Sequence, residues 1–459
     1  MKRNYLWLAV ALMMAQTTTT SCSLANEDEK EPEIVICTGD SGDINPEDVD
    51  PKDNPLKYIE LTRSERDLVN ANNDFAFNLF RQATMKYGIL GPEGCVIPEG
   101  VDPMASEKDQ ILSPISITYA LGMLNNGAAG ETQAQINKTL GFGDTGADGI
   151  NAFCQKMLIE APNLDKLTKV MISNTIFMNQ WYTLNPDFVR KANDFYLAQP
   201  ETRDFGDGKT LDAINQWASD HTEKMVEKVL SENEFSTSAV SYLLNAIYFK
   251  GAWTKKFDAE ETQMEDFEHA GPDKYLLQVP MMHQQDLFPY TDNDLCQALT
   301  LPYGNGAYSI TFLLPREGKQ VSDVLSTLTA ETWQQNYSYM RNANVDVKLP
   351  RFESQTDIRL EEIMANLGMP NAFDPDLAEF PYFCDTSTYI GLMKQVARIK
   401  LNEAGTEAAA VTVIDIETSS NPEPEIRNVE FHANRPFLYV IRERTTGTIF
   451  FIGQYMGNQ

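Results

Sequence analysis

Asn402-Glu403-Ala404-Gly405-Thr406-Glu407-Ala408-Ala409-Ala410 runs on into Val411-Thr412-Val413-Ile414-Asp415-Ile416-Glu417, and this stretch decides the fold. From Gly405 onward it alternates with a period of two: Thr406, Ala408, Ala410, Thr412, Ile414 and Ile416 share one face, and the three acids Glu407, Asp415 and Glu417 share the other. Period two is the signature of a strand with one buried face. Glycine at 405 permits backbone angles that other residues avoid, as a hinge requires. No proline occurs from Glu403 to Asn421, so every amide there can join a ladder. Taken alone, the stretch also fits an ordinary sheet strand between two turns.

Outward from it, further strand signals stand at Ser241 to Phe249, Ser309 to Leu314, Asp346 to Leu349, Phe437 to Ile441 and Ile449 to Ile452. Helical spacing puts Phe75, Leu79 and Phe80 on one face of Asn73 to Arg81, and Ile117, Leu121 and Leu124 on one face of a second segment. The mixture predicts an α+β class weighted toward antiparallel sheet. No low-complexity break interrupts the chain after about Leu61, so residues 61–459 read as one large domain.

The N-terminal end has a different character. Lys2 and Arg3 precede an apolar run from Tyr5 through Ala15, the length of a signal-peptide core and too short to span a bilayer. Ser21-Cys22-Ser23 follows a threonine tract and fits a bacterial lipoprotein signal, with residues 1–21 removed and a lipid placed on Cys22. Thr19 stands where leucine is usual, so cleavage by ordinary signal peptidase stays open. Eleven acids and two lysines lie between Glu27 and Asp53 with Pro32, Pro46 and Pro51, which makes residues 22–60 an extended, self-repelling tether. An outer-membrane lipoprotein exposed at the cell surface is expected, with a periplasmic or secreted protein as the alternatives. The lipid would be its sole hold on the membrane.

Composition excludes several classes. The 459 residues carry 66 acids against 37 bases, a net charge of −29, which repels nucleic-acid phosphates. Six cysteines are too few for a disulfide scaffold, and their spacing suggests no zinc site. The four histidines, His221, His269, His283 and His432, are widely dispersed, so no metal, cofactor or histidine-based catalytic site is expected. Gly39-Asp40-Ser41-Gly42 resembles a protease nucleophile motif, but it sits in the acidic tether without a histidine and aspartate around it.

Several runs together resemble the serpins. They are Leu112-Ser113-Pro114-Ile115-Ser116-Ile117, Gly127-Ala128-Ala129-Gly130-Glu131-Thr132, Leu244 through Trp253, Ile214-Asn215-Gln216-Trp217, Val279-Pro280-Met281-Met282, Leu349-Pro350-Arg351-Phe352, the quoted stretch, and Asn434-Arg435-Pro436-Phe437. They stand in the family's order over about 390 residues. The resemblance implies three sheets, eight or nine helices and an exposed reactive-centre loop at about 403–430. It implies a protein that is not an enzyme and that traps a protease covalently when its cut loop enters the large sheet, a strand addition that releases stored strain.

The same resemblance gives the hinge as Glu403, Gly405, Thr406, Glu407, Ala408, Ala409 and Ala410, and the sheet-opening region as Ser113, Ser116 and Asn245. Gln395 stands where a histidine is usual. Trp253 and Arg351 fall at the top of the sheet, Arg351 paired with Glu403. The family's count from Glu403 puts the cut bond at Ser419-Ser420, with Ile416 and Thr418 as alternative reactive positions. Small uncharged residues there favour elastase-like or subtilisin-like serine proteases. A cysteine protease, an enzyme cutting after Ile416, and a non-inhibitory serpin-fold lipoprotein are the other readings. No basic cluster suits heparin, and a monomer is expected.

Overall fold

The computed structural model describes residues 49–85, 89–91, 94–96, 107–270, 275–406 and 426–457. The signal segment, Cys22, Ser41, Glu407, Ala408, Ala409, Ala410, Ile416, Thr418, Ser419 and Ser420 lie outside them. The described residues form nine α-helices, a six-stranded sheet, a nine-stranded sheet and a two-stranded hairpin in which Ile89–Gly91 pairs with Gly94–Val96. That is the expected α+β, three-sheet architecture. The hairpin lies in the link between helix Arg63–Thr84 and strand Gln110–Leu112.

The nine-stranded sheet supplies the core. Its strands Tyr308–Pro315, Phe437–Glu443 and Ile449–Tyr455 are buried at every position, which is why their sequences read as near-continuous apolar runs. Helix Pro114–Asn125 touches both Ile449–Tyr455 and Ser241–Ala252, so it is wedged between the two large sheets. Eleven of its twelve residues are buried, and the single apolar face predicted from Ile117, Leu121 and Leu124 is therefore too narrow. Helix Arg63–Thr84 starts ten residues before the predicted Asn73. A capping box sets that start, with Thr62 accepting from the Glu65 amide and the Glu65 carboxylate accepting from the Thr62 amide.

The folded unit also reaches back into the expected tether. Ile59 is buried, and Asn54 donates to Asp165 Oδ1 at 2.7 Å while its own oxygen accepts from the Lys166 amide at 3.0 Å. Asn305 donates to the Pro55 carbonyl at 3.1 Å, closing the strap. Prolines and acids masked these two anchors in the sequence.

The six-stranded sheet runs Phe352–Arg359, Lys394–Asn402, Gly405–Thr406, Ser241–Ala252, Thr168–Asn179, Glu201–Arg203. Its two inner strands, Lys394–Asn402 and Ser241–Ala252, act as rails. Gly405–Thr406 is a two-residue strand antiparallel to each, so the rails run parallel to one another. Among the described residues no ladder joins the rails directly.

Candidate functional site

The docked hinge is built on one end of these rails. Thr406 lies opposite Leu401 on one side and Gly251 on the other, and Gly405 lies opposite Asn402 and Ala252. Gly405 has φ +145°, and a Cβ there would stand 2.1 Å from the Gly251 carbonyl oxygen, so only glycine fits. The Thr406 side chain turns inward, where its hydroxyl meets the Tyr303 hydroxyl at 2.7 Å. Both residues are fully buried, and desolvation pushes the Tyr303 phenol well above its ordinary range, so it stays a neutral partner. Tyr303 in turn packs its ring over Gly251, where a Cβ would approach within 2.8 Å.

Trp253, expected at the top of the sheet, packs beside the hinge. Its ring stacks on Tyr303 at 4.6 Å and 8° and meets Phe257 edge-on at 6.2 Å. The indole N–H donates to the Asn402 carbonyl at 2.9 Å, and the Trp253 amide donates to Ala404 at 3.0 Å. Phe257 donates its amide to the Glu403 carbonyl at 3.1 Å. The turn 402–405 is thus held by two backbone amides and one indole N–H from the segment that follows the rail Ser241–Ala252.

Glu403 and Arg351 do meet: Arg351 Nη2 donates to Glu403 Oε1, which also accepts from Thr262 Oγ1 at 2.7 Å. Partial burial alone would raise the Glu403 carboxyl, but the bonds from Arg351 and Thr262 outweigh it and hold the group below its ordinary value. With the Arg351 side chain 47% exposed, the pair contributes only about 0–1 kcal/mol.

Farther down the rails, the four expected sheet-opening residues gather under helix Pro114–Asn125 in two separate halves. On one rail the Gln395 amide pairs with the backbone of Ser113, its Oε1 accepting from the Ser113 N–H at 2.9 Å and its Nε2 donating to the Ser113 carbonyl at 3.0 Å. This imitates a strand ladder with a side chain. On the other rail Ser116 Oγ donates to Asn245 Oδ1, Asn245 donates to Asn174 at 2.7 Å, and Asn174 donates to the Tyr196 carbonyl at 2.8 Å. The helix start therefore pins both rails. The Ser113 hydroxyl itself is fully buried and has no partner among the described residues.

Tyr303, Thr262 and Asn174 were not singled out by the sequence. Asn174 pairs in register with Asn245, so a known strand pairing would have exposed it. Tyr303 lies 103 residues from Thr406, and no local pattern links them.

The chain leaving the loop is anchored at Arg427. Both guanidinium arms bind Asp292, at 2.7 and 3.2 Å, and the group lies 5.7 Å from the Tyr290 ring centre. Its carbonyl accepts from the Asn344 amide at 2.9 Å. The arginine nearest the expected cut bond is thus engaged as an anchor. Cys154, Cys296 and Cys384 are buried free thiols away from the hinge, and among the described residues no cluster could hold a metal.

Gln395→His tests the two-bond pairing. One imidazole cannot satisfy both the Ser113 N–H and its carbonyl, and a buried group left unpaired costs about 1–3 kcal/mol, read as a loss of unfolding free energy in urea. A second test concerns acid. The Glu403 carboxyl is held below its ordinary value, so its contribution is present above about pH 4.5 and lost as pH falls through the lowered value. Glu403→Gln should therefore melt below the parent at neutral pH and level with it once the pH has fallen below the lowered value.

Comparison with known proteins gives a consistent match. Residues 70–457 fit the family model described as Serpin (serine protease inhibitor). An uncharacterized serpin-like protein of Thermococcus kodakarensis is 30% identical over 406 residues, 87% of this chain and 88% of that protein. The native-state crystal structure of the thermophilic serpin tengpin aligns with a TM-score of 0.73 and 26% identity, over 88% of this chain and 97% of that one. Human thyroxine-binding globulin complexed with thyroxine aligns equally well, with a TM-score of 0.73 over 86% of this chain and 100% of that one, at 24% identity.

Proposed function

The chain belongs to the serpin family, and from that premise we propose that it is a suicide-type protease inhibitor whose own loop is the bait. The observation that carries this reading is the docked hinge: a strand has been started between two rails that, among the described residues, share no ladder of their own. A serine protease would attack the carbonyl carbon of the residue before the cut, taken as Ser419. The peptide C–N bond breaks, the amine of Ser420 departs with a proton, and an ester joins the inhibitor to the protease. Entry of the freed strand into the sheet would then outrun hydrolysis of that ester by water. Exported and lipidated at Cys22, the inhibitor would act at the outer surface of a cell.

The register of the hinge supports an entire inserted strand. Continued without a bulge, it would bring Thr412 opposite Gln395 on one rail and Asn245 on the other. Thr412 shares the inward face with Thr406, Ala408 and Ala410, so its hydroxyl would arrive between the two halves of the polar network, near the unpartnered Ser113 hydroxyl. Small or hydroxyl-bearing residues along this face would enter without displacing the core. A charged one would be trapped without a partner.

Mixing the chain lacking residues 1–22 with an elastase-like and a subtilisin-like protease tests the proposal. The expected outcome is an adduct that survives boiling in detergent, with a released peptide beginning at Ser420. Thr412→Arg should be cut at the same bond with the adduct lost and turnover rising by about tenfold or more, because a buried unpaired charge slows insertion relative to deacylation. Clean cleavage by both proteases, with no adduct and no rise in melting temperature after the cut, would overturn inhibition in favour of a serpin-fold binding protein.

A further inference from the structure

A second fastening crosses the line between the rails at the end away from the hinge. The segment 221–240 connects helix Lys209–Asp220 to the rail Ser241–Ala252. Its turn is fixed firmly to that side. Asn215 accepts from the amides of Val229 and Leu230 at 2.9 Å each and donates to the Leu230 carbonyl at 2.9 Å. Phe235 stacks on Tyr242 at 5.6 Å and 20°, Phe205 packs against both rings, and the Ser236 amide donates to the Tyr242 hydroxyl at 2.7 Å.

From this fixed turn Glu234 reaches the opposite rail. Its Oε2 accepts from the Ser231 amide at 2.9 Å and the Ser231 hydroxyl at 2.7 Å, which holds the carboxylate in one orientation. Both of its oxygens then accept from Lys394 Nζ, at 3.0 and 3.1 Å. Lys394 is the first residue of the rail Lys394–Asn402, and its side chain is only 9% exposed. Its other partner, Asp357 at 3.0 Å, stands on the outer strand Phe352–Arg359, which moves with the same rail. Of the two carboxylates on Lys394, one therefore spans the opening and the other does not.

We infer that Lys394 is a positioning residue that sets how fast the rails part to admit a strand, by holding the far end of the opening to Glu234. The inference rests on the inhibitory reading for its biological meaning, but the physical claim concerns the sheet alone. While the pair is made, separating the rails requires breaking a shielded ion pair whose carboxylate is already oriented, and a shielded pair is screened less than an exposed one. The apolar contact of Leu392 with the Phe205, Phe235 and Tyr242 cluster lies beside it and closes the same end.

The test measures strand uptake without any protease. The full chain is incubated with a synthetic peptide carrying residues 405–417, and the complex is followed on a native gel. Lys394→Met, which keeps the packed stem, and Glu234→Gln should each take up the peptide faster by about threefold or more, the size expected for loss of a partly screened ion pair in the barrier. Lys394→Arg should return toward the parent rate, and the double variant should be no faster than either single one. Asp357→Asn is the decisive control, because it weakens Lys394 without freeing the rails and should leave uptake unchanged. Equal acceleration by Asp357→Asn and Glu234→Gln would reduce Lys394 to a general stabiliser and overturn the inference, as would unchanged uptake in both Lys394→Met and Glu234→Gln. Failure of the inhibitory reading looks different: no covalent adduct with proteases, while peptide uptake still responds to residues 234 and 394.

Discussion

A buried strand edge needs partners for its amide and carbonyl groups, and the rest of the structure turns on how the two rails find theirs. At one end the hinge provides them, two residues deep. Gly405 is the residue that lets the chain double back there, and Thr406 is the first whose side chain is committed to the core. Trp253, Tyr303 and Phe257 form an aromatic lid over that commitment. Below, helix Pro114–Asn125 holds each rail through a different kind of bond: a side-chain imitation of a ladder at Gln395 and a relay of amides through Asn245. The hinge, the lid and the helix are three answers to one unmet backbone.

The charge of the molecule fits the same picture. The pairs that matter for the sheet, Arg351 with Glu403 and Lys394 with Glu234, draw on the scarcer sign, since bases number 37 against 66 acids. Lys394 with Glu234 joins one rail to the segment leading into the other, whereas Arg351 with Glu403 ties the hinge turn to the strand beside its own rail. Neither needs to be strong. A barrier to opening is altered by what breaks in the transition state, and a modest pair placed across the dividing line, as Lys394 with Glu234 is, acts there even when its effect on overall stability is small.

Much of the fold was legible because it rests on short-range periodicity. The strand signals at Ser241 to Phe249 and Ser309 to Leu314 fall within Ser241–Ala252 and Tyr308–Pro315, and the fully buried strands declared themselves by their near-continuous apolar runs. The meeting of Ser113 with Gln395, and of Glu403 with Arg351, followed from family resemblance and not from any local rule. What stayed hidden involves partners far apart in the chain. Tyr303 with Thr406, Glu234 with Lys394 and Asn54 with Asp165 are ordinary residues in ordinary surroundings until the fold brings them together. Helix Pro114–Asn125 misled in the opposite way: wedged between two sheets, it has almost no polar face for a periodicity rule to find.

The anchors at Thr406 and Arg427 have a consequence best put in the language of polymers. The chain between them has both ends fixed, so the entropy of closing that loop is spent at folding and is returned when the loop is cut. A cut at any point between the anchors leaves its N-terminal piece attached to a strand already begun and its C-terminal piece attached to Arg427. The position of the cut then decides how long a strand is available, and not whether one can start. On the proposed reading, such a loop would tolerate proteases that disagree about the bond, grading them by the length of chain each one leaves behind.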